Sequence, residues 1–365
     1  MTIEWLAGNR IRGTSTERTT TTGFNPVTAV AGGWKELDRT TLGSAGLNID
    51  VNAFGNKRYY MILHSAFTTG SPDIRLQLGD SSALSTGNVY AGRWSENGST
   101  PDSENNTTSS LIYDSVGSTF NHKFCVGYIA NLATKEKLVI NHSVDSDGTS
   151  AGVAPKRSEF AGKWVETTDP LDRLRVFGSS NFAIGDEVVV LGWDPADTHT
   201  TNFWEELASV TAVGGTETFE TGTFTAKKYL WIQAWIEGDT TNNGLDFYVN
   251  SDTGTNYAQR YSDNGGVDGA PTSTNQMFYG GGNSTTEKFF MNAFIINNSA
   301  NEKLGIAHIN NLITAGAGTA PTRRETVGKW TTTGSQITKV GFKNRAATTG
   351  QNITAGSIIK VWGSN

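Results

Sequence analysis

Ala154-Pro155-Lys156-Arg157-Ser158-Glu159-Phe160-Ala161-Gly162-Lys163-Trp164 returns later in the chain as Ala320-Pro321-Thr322-Arg323-Arg324-Glu325-Thr326-Val327-Gly328-Lys329-Trp330. Seven of the eleven positions are identical, among them Arg157/Arg323, Glu159/Glu325 and the Gly-Lys-Trp ending. A match of this length within one chain marks a tandem duplication. The two copies can therefore be read against each other.

Outward from this stretch the correspondences continue. Glu136-Lys137-Leu138-Val139-Ile140-Asn141-His142 precedes the first copy as Glu302-Lys303-Leu304-Gly305-Ile306-Ala307-His308 precedes the second. Lys123-Phe124-Cys125 aligns with Lys288-Phe289-Phe290, which sets Cys125 opposite Phe290 and makes Cys125 a core side chain rather than a nucleophile. Tyr90-Ala91-Gly92-Arg93-Trp94-Ser95-Glu96-Asn97-Gly98 matches Tyr257-Ala258-Gln259-Arg260-Tyr261-Ser262-Asp263-Asn264-Gly265, and both end in Asn-Gly, a hairpin signal because both residues tolerate positive φ. Lys57–Leu63 matches Lys227–Gln233. Gly33-Trp34-Lys35-Glu36-Leu37 matches Phe203-Trp204-Glu205-Glu206-Leu207. Each copy closes on an apolar run, Glu187–Trp193 and Ile358–Gly363.

These segments are short, β-branched and aromatic, and turn residues separate them. No amphipathic helical stripe of useful length is present. The expected fold is all-β: two tandem homologous β-sandwich domains, jelly-roll or lectin-like, of about eight strands each. The divisions are an extended N-terminal arm over residues 1–31, a first repeat over 32–197 and a second over 198–365. Asp194–Thr201 is a short polar connector without a Gly-Ser spacer, which implies a fixed relation between the sandwiches. The arm holds one apolar anchor, Trp5-Leu6, and reads either as a loose terminus or as a segment that docks on a neighbouring subunit.

Composition narrows the function classes. Net charge is −6, and no basic block exceeds a pair or so, which disfavours nucleic acid and anionic membrane surfaces. No apolar stretch is long enough to span a bilayer, so membrane insertion is not expected. The single cysteine excludes an internal disulfide framework. The N-terminus has neither a basic start nor an apolar run, so release in an assembled particle is the expected route if the protein acts outside a cell.

Three candidate sites arise. Arg157, Glu159 and Trp164, with Arg323, Glu325 and Trp330, form either a polar ligand platform or a structural corner. In the first reading Arg and Glu bond hydroxyls while Trp stacks on a sugar ring. In the second an Arg–Glu pair pins the entrance of a strand and Trp belongs to the core. Asp145-Ser146-Asp147-Gly148 places Asp145 and Asp147 at alternate positions before a glycine, as in part of a calcium loop, although no downstream bidentate Glu follows. Asn250-Ser251-Asp252-Thr253-Gly254 is a weaker form of the same pattern; both also read as solvated turns. No organic cofactor is expected, and calcium is the one candidate ion. Catalytic signatures are missing: no Gly-x-Ser-x-Gly, no His-Glu-x-x-His, no phosphate-binding loop. Glycan cleavage needs two facing carboxylates, for which Glu36, Glu206, Glu159 and Glu325 are among the candidates, although sequence spacing gives no separation between them.

Three phrases carry a resemblance: Trp5–Arg18, Val188–Leu207 and Thr253–Gly266. Together they resemble tandem-repeat virion structural proteins of marine viruses, with lectin-like or jelly-roll domains. The resemblance implies a non-enzymatic structural protein at the virion surface, as a fibre, spike or capsid decoration. Its implied partners are copies of itself (a trimer is favoured), other virion proteins and host glycans. The alternatives are a double jelly-roll capsid protein, a secreted or cell-surface carbohydrate-binding or surface-layer protein, and a glycan-cleaving enzyme.

Overall fold

The computed structural model describes residues 30–31, 33–68, 73–107, 109–114, 121–195, 197–199, 202–238, 244–280, 288–312, 315–345 and 352–365. The expected arm, apart from Val30 and Ala31, lies outside the described residues. Every regular element among the described residues is a β-strand.

The duplicated segments fold into one broad antiparallel layer in each half of the chain. In the first half its strands lie in the order Asp102–Thr107, Tyr90–Glu96, Lys156–Trp164, Lys137–Asp145, Asn121–Ala130, Tyr59–Thr68, Glu187–Trp193, Lys35–Thr41. The second half repeats that order as Tyr257–Asp263, Thr322–Trp330, Lys303–Leu312, Lys288–Ile296, Tyr229–Glu237, Ile358–Ser364, Glu205–Thr211. Both Asn-Gly pairs adopt the backbone that recommended them, with φ of 48° and 71° at Asn97 and Gly98 and 54° and 75° at Asn264 and Gly265.

A second layer closes each sandwich, and the comparison of the two copies did not find it. In the first half it contains Gly46–Val51, Arg173–Phe182, Ile74–Gly79 and Leu111–Asp114. In the second half it contains Thr218–Glu220, Val340–Asn344, Leu245–Val249 and Phe278–Tyr279. Phe182 pairs with Thr68, so in the first half both layers join into a 12-stranded sheet. In the second half they stay separate, with 7 and 4 strands. The strand total thus exceeds the eight or so expected for each repeat.

Each half has its own core between its layers. Ile62, Leu76, Cys125, Trp164, Val176 and Val188 belong to the first, and Ile232, Phe247, Met291, Trp330, Phe342 and Ile359 to the second. A third cluster lies between the halves. Met61, Leu63, Phe124, Val126, Val144, Val189 and Leu191 of the first half meet Tyr229, Trp231, Phe294, Leu304, Ile306 and Trp362 of the second. Alternation along a strand explains how both cores are served: Cys125 and Ile129 face inward, while Phe124 and Val126 face the other half.

The strand register moves one sequence correspondence. Cys125 pairs with His64 and Met291 with Ala234, at matching places in the two layers. Cys125 therefore corresponds to Met291, not to Phe290. Met291 is fully buried whereas Phe290 is 45% exposed. The one-residue slip matters because it exchanges the two faces of the strand. The reading of Cys125 as a core residue holds, since its side chain is buried.

The described residues of the connector are tied to the first half. Asp197 accepts the backbone N–H of Asp194 (2.8 Å) and pairs with Lys57. Phe203 N–H donates to the Trp34 carbonyl (2.8 Å), and Val30–Ala31 pairs with Thr198–His199.

Candidate functional site

The repeated stretch becomes strand Lys156–Trp164 in one half and Thr322–Trp330 in the other. Trp164 and Trp330 are 1% and 2% exposed and belong to the inter-layer cores, so neither offers a ring to a ligand. Alternation then turns Arg157, Glu159 and Glu325 to the other side of their strands, where the halves meet.

There Arg157 is the hub. Its guanidinium pairs with Glu159, donates to Asp268 Oδ1 (2.8 Å) and reaches Glu325 Oε2 (3.3 Å). The side chain is only 5% exposed. Arg323, its counterpart, is 61% exposed and lies 3.4 Å from Glu325 alone. One arginine of the duplicated pair thus crosses between halves, and the other remains at the surface. Beside this network the two corresponding histidines meet, with ring centroids 4.7 Å apart.

The electrostatics follow from this crowding. Burial, helped by His308 and Arg157, holds the His142 imidazole well below its ordinary range. Burial also lowers His308, partly offset by Glu325. Burial and the Glu325 carboxylate push Glu159 up to about 7, against the pull of Arg157. The cluster therefore favours neutral imidazoles and eases protonation of Glu159, which lowers the electrostatic cost of burying it.

Further contacts fasten the same seam. Lys329 Nζ donates to the carbonyls of Ser146 (2.8 Å) and Gly148 (2.7 Å). Arg260 Nε donates to the Pro155 carbonyl at 2.8 Å. Glu187 accepts from the Tyr229 hydroxyl (2.5 Å) and pairs with Lys228 (2.9 Å). The sequence reading missed Asp268 and this cross-half role altogether.

The carboxylates of the Asp145–Gly148 loop each meet a lysine. Asp145 lies 2.7 Å from Lys123 and Asp147 lies 3.0 Å from Lys156. Asp145 is buried, and its Oδ1 accepts the N–H of Asp147. The alternate-position pattern does not form an oxygen cage, and among the described residues no cluster of His, Cys, Asp and Glu is placed to hold a metal ion. Asp252, of the weaker loop, accepts from Trp330 Nε1 (2.8 Å) and Asn256.

Two of the open surfaces on the facing layers are lined by aromatic side chains. A cavity of about 320 Å3 in the first half is lined by Trp34, Tyr59, Tyr128, Leu138, Ile140 and Trp193. Another of about 490 Å3 in the second half is lined by Trp235, Lys288, Phe290, Asn310, Leu312 and Pro321 among others. Trp235 and Phe290 sit directly opposite each other on neighbouring strands, 40% and 45% exposed.

No protein-family model and no curated protein matches the sequence. Among solved structures the chain is similar to the LG4-5 domains of the mouse laminin alpha1 chain at 11% identity, covering 92% of this chain and 91% of that one, with a TM-score of 0.20. It is also similar to the LG1-3 region of the laminin alpha2 chain at 9% identity, covering 88% and 61%, with a TM-score of 0.22. Neither similarity bears on what the chain binds.

Proposed function

We propose that the chain is a non-enzymatic structural protein of a virus particle, displayed at the virion surface in a fibre, spike or decoration. The observation that carries this reading is the hub at Arg157. The repeated charged stretch is turned inward and engaged across the halves, so its chemistry serves to fix their orientation. A double sandwich held in one orientation suits repetition in a closed homo-oligomer, for which a trimer is the expected form, docked on other virion proteins. The test is immunogold labelling of purified particles with antibodies to the full chain, together with its mass in solution. Label on the particle surface and a discrete oligomer are expected. Unlabelled particles remove the virion reading, and a monomer at high concentration removes the oligomer.

A glycan-contacting role is a second reading, and a separate surface favours it. Where the first half buries Phe124 and Val144 beneath its partner half, the second half leaves Phe290 and Asn310 open. An exposed Trp–Phe pair beside an amide and Lys288 offers ring faces for the apolar side of a sugar and donors for its hydroxyls. A glycan array probed with the full chain tests it; silence on every sugar removes it.

A further inference from the structure

Lys123, Asp114 and Asp145 form a charged triad inside the first sandwich. Lys123 Nζ lies 2.8 Å from Asp114 Oδ2 and 2.7 Å from Asp145 Oδ2. The three side chains are 0%, 1% and 1% exposed. Lys123 and Asp145 are direct partners on adjacent strands of the facing layer. Asp114 ends strand Leu111–Asp114 of the second layer, so the triad bridges the sandwich. Tyr113, Cys125 and His64 are buried beside it: burial pushes the Tyr113 and Cys125 groups up, with Asp114 adding to the rise, and holds the His64 imidazole down against the pull of Asp114.

The second half shows that the fold does not require this triad. By strand register Lys123 corresponds to Phe289 and Asp145 to Asn311. Both are buried, at 1% and 2% exposure, and the sandwich closes around them. A phenylalanine and an asparagine, neither of them charged, stand where the first half holds an ammonium and a carboxylate. Buried ionic groups of this kind are costly to desolvate, and an apolar replacement of similar volume is often at least as stable. A chemical role is therefore the better explanation of the triad.

We propose that Lys123 and Asp114 join in an intramolecular isopeptide bond that the folded chain makes without help, with Asp145 carrying the protons. In this site, away from water, desolvation penalises ammonium and carboxylate alike, so a neutral amine and a neutral acid compete with the ion pair. Burial pushes the Lys123 ammonium down and the two carboxylates outweigh it, while burial pushes the Asp145 carboxyl up. The reactive arrangement has the proton on Asp114 and Nζ uncharged. Ser143 Oγ donates to Asp114 Oδ1 (2.8 Å), which polarises the carbonyl and stabilises the oxyanion of the addition step. Nζ attacks Cγ, the Nζ–Cγ bond forms and the Cγ–Oδ2 bond breaks. Oδ2 leaves as water, taking the acid proton and one proton from Nζ relayed by Asp145. The product is a neutral amide and no oxidant is needed. The bond ties a strand of one layer to a strand of the other, in a chain whose one cysteine allows no internal disulfide.

Intact-mass spectrometry of the denatured full chain decides the matter. The expected mass is lower than that of the sequence by one water. Trypsin should fail to cut after Lys123, leaving a peptide from Trp94 to Lys135 that carries the loss. Tandem fragmentation should give no ions from cleavage between Asp114 and Lys123. Loss of water elsewhere, as from the Asp147-Gly148 pair, would leave Lys123 cleavable and so overturns the assignment. A wild-type chain of full mass overturns the bond outright, whatever the variants do. Asp145→Asn should restore the full mass; if the variant folds and still loses water, Asp145 is not the proton carrier.

Discussion

His142 Nδ1 and His308 Nε2 lie 3.1 Å apart, so two residues that occupy the same position in the two copies touch each other across the seam. The contact is between equivalents, yet its surroundings are not symmetric. Arg157 reaches over to Glu325 and Asp268, whereas Arg323 stays with Glu325 alone. Lys329 is buried beneath the loop of the first half, while its counterpart Lys163 is 43% exposed and paired with Glu136. The duplicated halves have divided the work of joining, which gives each residue of the seam a natural control in its own copy.

Arg157→Ala removes the hydrogen-bonded cation of Asp268, 3% exposed, leaving it only Arg260 at 4.0 Å, and removes the link to Glu325. Breaking a buried pair in this way costs about 3–5 kcal/mol. Arg323→Ala removes an exposed pair and should cost about 0–1 kcal/mol. Chemical denaturation of the full chain measures both. Equal losses would contradict the assignment of Arg157 as the hub.

Leu304 and Leu138 share one position in the register, the former fully buried between the halves and the latter 57% exposed. Leu304→Ala should destabilise by about 2–5 kcal/mol through lost burial and the cavity left behind. Leu138→Ala should cost well under half of that. The midpoint of thermal unfolding ranks the two.

His64 is buried with neither ring nitrogen hydrogen-bonded, and burial holds its imidazole down at about 4. In the unfolded chain the ring titrates near the ordinary 6.5. As the pH falls below 6.5 the unfolded state therefore takes up a proton that the folded state refuses. Stability from this site is intact above 6.5 and declines until the pH nears 4. His64→Leu removes the penalty, so the variant should gain on wild type by about 3 kcal/mol over that span at most. Its counterpart Ala234 shows that an apolar side chain suits the place. A gap between variant and wild type that stays constant from pH 7.5 to 4.5, by urea denaturation, would refute the linkage.

Trp235→Ala and Phe290→Ala remove the exposed aromatic pair. Either change should weaken glycan binding by about tenfold, a loss of one good stacking contact, with the melting temperature nearly unchanged. Binding that survives both substitutions would place the contact elsewhere.

The facing layers were legible in the sequence because both copies retain the residues that build them. The second layers were not. In Leu245–Val249 all five side chains are buried, so no two-residue alternation marks the strand. Thr218–Glu220 and Phe278–Tyr279 are too short to show any pattern. The slip at Cys125 was avoidable: His142 and His308 are 166 positions apart, and the Lys123/Lys288 match is one position shorter. The repeated Arg/Glu/Trp stretch was found, but its role depended on which copy it faced, and sequence carries no distances between separate strands. The sugar platform assigned to Trp164 and Trp330 failed because both rings point between their own layers. Trp235 and Phe290 went unnoticed as a pair because they lie on different strands.

The apolar seam also bears on how the molecule meets proteases. Tyr229, Trp231, Phe294, Leu304, Ile306 and Trp362 of the second half are buried by the first half and would face water without it. A cut in the connector would therefore not free a soluble C-terminal fragment. The nicked chains should elute together as one particle under native conditions and part only in denaturant, with the released second half prone to aggregate.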